Sequence, residues 1–188
     1  CGWDAVEFFD DSWPSMKLNS HWPVVGDTGV LLERMAEFDG VLVSIGTCPT
    51  RWQKQQALRA AGAKLISVVH PHADVSRFAV IGVGSVVMPG AVVNVDAVVG
   101  EACIINTGST VDHDCVLGPG VHIGPGAHLS GDVRVDQCSW VGVGAVVRQG
   151  VRIGSNVMVG AGTVVVKNIS DEQTVIGNPA QPLVSKFK

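Results

Sequence analysis

From Val75 onward the chain repeats every six residues. The first position of each hexad is Val, Ile or Leu: Val75, Ile81, Val87, Val93, Val99, Ile105, Val111, Leu117, Ile123, Leu129, Val135, Val141, Val147, Ile153, Val159 and Val165, sixteen hexads without a slip. The fifth position is apolar or small, as at Ala79, Ala97, Cys103, Cys115, Val133 and Ile169. The second is often Gly, as at Gly82, Gly100, Gly118, Gly124, Gly142, Gly154 and Gly160. A period of six does not match the 3.6-residue turn of an α-helix, and the recurring Gly interrupts any long alternating strand. The pattern predicts a solenoid of short parallel strands, in which each hexad is one flat face and three faces close a triangular coil. First and fifth positions point inward, and Gly is expected at corners for the backbone angles it permits. Coils stacked at about 4.8 Å put residues three hexads apart above one another, and roughly five coils give a prism about 25 Å long.

Residues 1–73 read differently. Ala5-Val6-Glu7-Phe8-Phe9 predicts a strand ending at Asp10-Asp11. Asp27 suits the N-cap of a helix carrying Leu31, Leu32, Met35 and Phe38 on one side. Gly40 to Gly46 predicts a buried strand, Arg51 to Ala61 a helix with Pro49 in its first turn and Gly62 at its stop, and Lys64 to Val69 a further strand. Strands alternating with helices predict a small parallel α/β domain, Rossmann-like, over 1–73. The prism domain is expected over 74–170, and 171–188, with Pro179 and no period, as a cap and tail. The α/β part opens on what reads as its second strand, and the chain begins with Cys. The expectation is that a first strand-and-helix unit is lacking, on the order of 25 residues.

Composition narrows the function. The net charge of −4 gives no basic footprint for nucleic acid. No apolar run approaches the roughly 20 residues of a membrane span, and the first residues have neither the positive region nor the apolar segment of a signal peptide. Five cysteines, with Cys103 and Cys115 at inward positions, read as reduced thiols, so a cytoplasmic location is expected. Val83, Val95 and Val143 are expected to lie exposed on flat faces, where a monomer would leave them wet. Trp140, last in its hexad, is expected to cover a coil edge or a subunit contact.

The most polar stretch of the repeat is 105–131, which holds Asn106, Asp112, His113, Asp114, His122 and His128. Neighbours on a straight strand face opposite ways, but at a corner His113 and Asp114 can turn together, so that the carboxylate holds the imidazole and raises its basicity. A plain solvated corner is the alternative from spacing alone. A Cys115 nucleophile is disfavoured because that position points inward. A zinc site built from His113, His122 and His128 is disfavoured because His122 and His128, one hexad apart, fall on successive faces. No metal is therefore expected. A non-catalytic solenoid scaffold is the alternative of another class that the period permits. His113, Gly131, Gln149 and Lys167 follow at steps of eighteen and are expected to line one edge, with Arg148 beside them.

The runs IINTGSTVDHDCVLGPGVHIGPGAHLSG, LISVVHPHADVS and VIGNPAQPL resemble the sialic-acid-cluster type of sugar acetyltransferase, within the hexapeptide-repeat acyltransferases. The resemblance implies a left-handed prism, a homotrimer with sites between neighbours, and acetyl-CoA as co-substrate. It implies an N-acetyltransferase acting on a nucleotide-linked, UDP in expectation, 4-amino-4,6-dideoxy sugar in bacterial surface glycan synthesis. O-acetylation of a sialic-acid-like sugar is the alternative. It further implies His113 as general base, Asp114 as the group that increases its basicity, Asn106 beside the reacting groups, and the Gly131 N–H toward the oxyanion. His122, Gly131, Val143, Arg148 and Lys167 are the expected acetyl-CoA contacts, His122 at the thioester. Asp10, Asp11 and Gly46 are the expected nucleotide-sugar contacts.

Overall fold

The computed structural model describes residues 2–183; Cys1 and the last five residues of the expected tail lie outside the described residues. Three ladders of short parallel strands form the faces of a prism. The first face stacks Val68–Val69, Val86–Val87, Ile104–Ile105, His122–Ile123, Trp140–Val141, Met158–Val159 and Thr174–Ile176. The second runs from Asp74–Val75 through Thr110–Val111 and His128–Leu129 to Val164–Val165, and the third from Val80–Ile81 through Val116–Leu117 to Arg152–Ile153. The arrangement fits a left-handed parallel β-helix. Consecutive strands of a ladder pair at a separation of eighteen, as in Ile104 with His122 and Thr110 with His128. The ladders therefore begin before residue 74, at Val68–Val69, and reach past 170 to Thr174–Ile176.

The inward pattern holds. From Val87 to Val165 every first position is buried, and from Ser85 to Ile169 so is every fifth. Each such side chain contributes on the order of 1.5–3 kcal/mol when fully buried, less for the smaller residues. The corner pattern differs from expectation. Every fourth position from Gly84 to Gly162 has positive φ, including Asp96, Ala102, Asp114, Asp132, Cys138 and Asn156. The second-position glycines do not. They are small because coils approach closely there: a Cβ on Gly82 would lie 2.4 Å from the Gly100 carbonyl carbon, and one on Gly100 2.7 Å from the Leu117 carbonyl oxygen. Val83, Val95 and Val143 occupy third positions and so stand on edges rather than faces. Exposed apolar side chains on the faces include Val80, Val98, Val146 and Met158.

The last coil is shorter than the repeat predicts. Ile169 pairs with Ile153, and Val159 with Val175, each at a separation of sixteen. Ile169 thus stacks over a first position, although counting assigns it a fifth.

The N-terminal part is α/β, but its sheet is not the expected continuous parallel one. β1 (Phe8–Phe9) pairs parallel with β3 (Trp22–Gly26), which also pairs antiparallel with β2 (Leu18–Asn19). The segments read as strands at 40–46 and 64–69 meet only at a single Val41–Leu65 bridge, and Val68–Val69 joins the prism instead. Val43 remains buried, so apolarity there marks packing rather than a strand. α1 (Thr28–Glu33) is capped by Asp27, whose carboxylate accepts the Val30 N–H at 2.9 Å, a contact worth about 1 kcal/mol. Leu31 is buried, while Leu32, the next residue of the same helix, is exposed. α2 (Cys48–Ala60) has Pro49 in its first turn and is followed by Gly62 at φ +85°.

α2 lies along the prism edge between the third and first faces. The Arg51 guanidinium, 1 % exposed, donates to the carbonyls of Ala102 (2.7 Å), Gly120 (2.7 Å), Gly46 (2.7 Å) and Ile45 (2.9 Å). One turn on, Gln55 donates to the Val83 carbonyl at 2.9 Å, and another turn on Arg59 pairs with Glu101. These side chains recur every four residues on one helix face, so one stripe of α2 fixes the N-terminal part to the prism.

Candidate active site

The edge between the second and third faces carries His113 at its tip. Asp114, the following fourth position, takes φ +61°, which swings its carboxylate beside the ring. Asp114 Oδ2 stands 2.7 Å from His113 Nδ1, with the His113 side chain 56 % exposed. The His113 pKa is raised above its usual value, first by this hydrogen bond and then by the charges of Asp112, Asp114 and Asp132, against a partial desolvation. Because Nδ1 faces Asp114, Nε2 is the nitrogen left to exchange a proton with a ligand.

Gly131 lies directly under His113: the Asp132 N–H donates to the His113 carbonyl at 2.9 Å, and the Gly150 N–H to the Gly131 carbonyl at 3.0 Å. A Cβ on Gly131 would stand 2.5 Å from His113 Cε1, so the ring occupies the volume a side chain would need. The Gly131 N–H has no hydrogen bond among the described residues. Below it the expected row holds as far as Gln149, with Arg148 exposed beside it. Lys167, also exposed, falls in the shortened coil, so it does not continue the row at the regular step.

Asn106 and His122 sit elsewhere. Asn106 is on the edge between the first and second faces, where its Oδ1 accepts the Thr107 N–H at 2.8 Å and its Nδ2 lies 3.0 Å from His122 Nε2. His122, 5 % exposed, stacks on Trp140 with ring centroids 4.4 Å apart and 22° between planes. Burial, with a smaller effect of the Arg51 charge, pushes its pKa down to about 4, so the ring is neutral at physiological pH. Val143 is exposed at the tip of the same edge as Asn106. A prism face is six residues, at most about 20 Å by strand rise. One chain therefore splits the expected groups between two edges: His113, Asp114, Gly131, Arg148 and Lys167 on one, Asn106, His122 and Val143 on or beside another.

In the N-terminal part, Asp10, Asp11 and Lys54 line a cavity of about 770 Å³ with Phe8, Phe9 and Ser44. Asp11 accepts from the Thr28 N–H at 3.0 Å and from Lys54 Nζ at 2.7 Å, and hydrogen bonds from Lys54 and Thr28 bring its pKa down to about 2. Gly46 is not in the cavity wall; its carbonyl is turned to Arg51. Cys115 is buried, donates to the Ser130 carbonyl at 3.2 Å, and has its pKa pushed up to about 11 by desolvation, which leaves no thiolate to act.

The bacterial transferase hexapeptide (six repeats) family matches residues 96–131, the segment that carries this edge. No curated protein matches the chain. Among solved structures, the acetyltransferase domain of PglB from Neisseria gonorrhoeae in complex with acetyl coenzyme A is 44% identical, with 96% of this chain and 87% of that one covered and a TM-score of 0.91. The chain belongs to the hexapeptide-repeat family of acetyl-CoA-dependent sugar acetyltransferases. PerB from Caulobacter crescentus, solved with CoA and GDP-perosamine, is 39% identical over 89% of this chain and 82% of that one, with a TM-score of 0.86. WeeI from Acinetobacter baumannii is 29% identical over 94% and 85%, with a TM-score of 0.81.

Within this acetyltransferase, reading the sequence alone missed Arg51, Gln55 and Lys54. Their four-residue recurrence at 51, 55 and 59 was the available signal for the first two. Lys54 had none, because its partner Asp11 is forty-three residues away in sequence. No helix among the described residues is long and apolar enough to cross a membrane, and none of them gather into a cluster able to hold a metal ion.

Proposed function

We propose that this enzyme moves the acetyl group of acetyl-CoA directly to the amine of a nucleotide-linked 4-amino-4,6-dideoxy sugar, in bacterial surface glycan synthesis, with His113 as general base. The carrying observation is the stack of the His113–Asp114 pair over Gly131. A neutral amine attacks the thioester carbon as His113 Nε2 takes its proton, a contribution of about 10²–10⁴-fold. The C–N bond forms, and the thioester oxygen becomes negative next to the free Gly131 N–H, a contact worth roughly 2.7–4 kcal/mol for one preorganised donor. The C–S bond then breaks and the coenzyme thiolate takes up a proton. Asp114 keeps the imidazole oriented and basic. Arg148 and Lys167 face the coenzyme phosphates, and Asp10 and Asp11 belong to the nucleotide-sugar pocket, where Lys54 neutralises one of them.

Asn106, His122 and Val143 enter the same reaction from a neighbouring subunit. Two half-sites a face apart in one chain become one site where an edge of one prism meets a different edge of the next, which a closed cyclic trimer provides three times. The exposed Val80, Val98 and Val143 support such contacts.

Thiol release from acetyl-CoA, measured over UDP- and GDP-linked amino sugars and their hydroxyl counterparts, tests the acceptor. Release with amino sugars alone is expected; release only with a hydroxyl acceptor would overturn the amine reading. Subunit sharing is tested by mixing inactive His113→Ala and Asn106→Ala proteins after dissociation and reassembly. Activity should return in the mixture, whereas a site contained in one chain would stay silent. Sedimentation at micromolar concentration should give a trimer.

A further inference from the structure

The turn that presents His113 is held by a carboxylate that the reaction itself does not use. Asp112 Oδ1 accepts the backbone N–H of His113 at 2.8 Å, and the same oxygen accepts Asn94 Nδ2–H at 2.8 Å from the coil above. Both residues occupy second positions of hexads, stacked at a separation of eighteen. Glycine fills that position in seven other hexads of the repeat, and at Gly82, Gly100, Gly118, Gly124 and Gly142 the coils touch backbone to backbone. Here a side-chain bridge replaces the close backbone approach. The N–H groups of Gly131 and Gln149, one and two coils down at the same tip, have no hydrogen bond among the described residues, so along this edge the tether belongs to the coil that bears the base.

We propose that Asp112, clamped by Asn94, is a positioning residue that fixes the backbone turn carrying His113 and so holds its ring over Gly131. The inference rests on His113 being the base. An Asx-type bridge of this kind replaces the missing ladder partner of the His113 N–H and removes the freedom of the turn. Without it, the φ +61° residue Asp114 is the neighbouring restraint. A displacement of the ring by about 1 Å is enough to cost on the order of 10²-fold in rate.

Asp112 also acts by charge. The charged groups that face His113 are Asp112 and Asp114 in its own corner and Asp132 in the coil below, the last drawn toward Arg134 at 3.8 Å. The residue stacked on it from the coil above is Val95, which carries no charge. Hydrogen bonds from the His113 N–H and from Asn94 keep Asp112 ionised by lowering its own pKa. Asp112→Asn keeps an oxygen for the His113 N–H and removes only the charge, while Asn94→Ala keeps the charge and removes the clamp.

The two variants separate the roles in the full-length enzyme. Asp112→Asn should move the acidic limb of the kcat/KM profile to lower pH, since one opposite charge at close range is lost. Asn94→Ala should lower kcat about tenfold with the KM for acetyl-CoA unchanged and a thermal midpoint near that of the parent. The His113 ring protons followed by NMR against pH give the same titration without turnover. Coincident titrations for parent and Asp112→Asn, together with kcat of Asn94→Ala within twofold of the parent, would overturn the proposal. If His113→Ala itself stayed active, the assignment of the base would fail instead.

Discussion

His113 and His122 lie nine residues apart on the same repeat, yet the fold treats them in opposite ways. His113, at an edge tip, is exposed, paired with a carboxylate and made more basic. His122, on the outer side of a face, is covered by the segment leading into α2, stacked on Trp140 and made much less basic. What differs is the phase of each residue in its hexad. A third position projects from a corner into solvent, while a sixth position faces outward from a flat face, where another part of the chain can lie on it. The first environment suits a group that must exchange a proton at neutral pH, and the second suits a neutral ring that shapes or polarises.

The largest effect expected from breaking this contrast is His113→Ala. Its kcat should fall by about 10²–10⁴ while acetyl-CoA binding stays near wild type; steady-state kinetics retaining more than about a tenth of the rate would exclude a base at this position. Gly131→Ala comes next. Its methyl group would meet the His113 ring at 2.5 Å and push it aside, so activity should drop by up to about 10² with the prism intact by circular dichroism.

pH separates the two histidines most directly. The base works unprotonated, so kcat/KM should rise with pH through the raised His113 pKa and level off above it. Asp114→Asn removes the first cause of that rise, so the limb should shift to lower pH and the plateau should fall several-fold. His122 gives the opposite linkage. Its folded pKa is depressed to about 4 from 6.5, so it contributes stability that is fully present above 6.5 and lost as pH falls toward 4. The thermal midpoint should decline by several degrees across that window. His122→Phe, which keeps a ring on Trp140, should flatten the decline; an equal slope in both proteins would place the titrating group elsewhere. The smallest effect belongs to Cys115→Ser, whose kcat should stay within twofold because a thiol held protonated and hydrogen-bonded to Ser130 takes no part in the reaction.

Much of the prism is legible in the sequence, because its signal is local and repeated. An apolar side chain every six residues has one common solution, and each repeat reinforces the register of the next. The coil corner was legible only in part: that His113 and Asp114 turn toward each other followed from a corner falling between them, but the positive φ belongs to the fourth position, not to the second-position glycines. Those glycines answer to the coil underneath, and a contact eighteen residues away leaves no mark on local conformational preference. The N-terminal segments at 40–46 and 64–69 misled for a related reason. A buried apolar run looks like a strand by periodicity, while strand formation needs a partner backbone at hydrogen-bonding distance, which only the assembled chain supplies.

By itself, then, the sequence determined the repeat, its inward side chains, the edge that carries His113 over Gly131, and the helix α2 with Pro49 in its first turn and Gly62 at its stop. Tertiary structure alone decided that Arg51 is buried against carbonyls of the prism, that Lys54 reaches Asp11, that the last coil is two residues short, and that Asn94 clamps Asp112. The count of hexads already separates Asn106 and His122 from the edge of His113, whereas the burial of His122 beneath the segment leading into α2 came only with the tertiary structure. The physical reason is one of range. Periodicity encodes which way a side chain points relative to its own backbone, whereas burial of a charge, loss of a proton and the meeting of two edges depend on which distant backbone arrives to cover it.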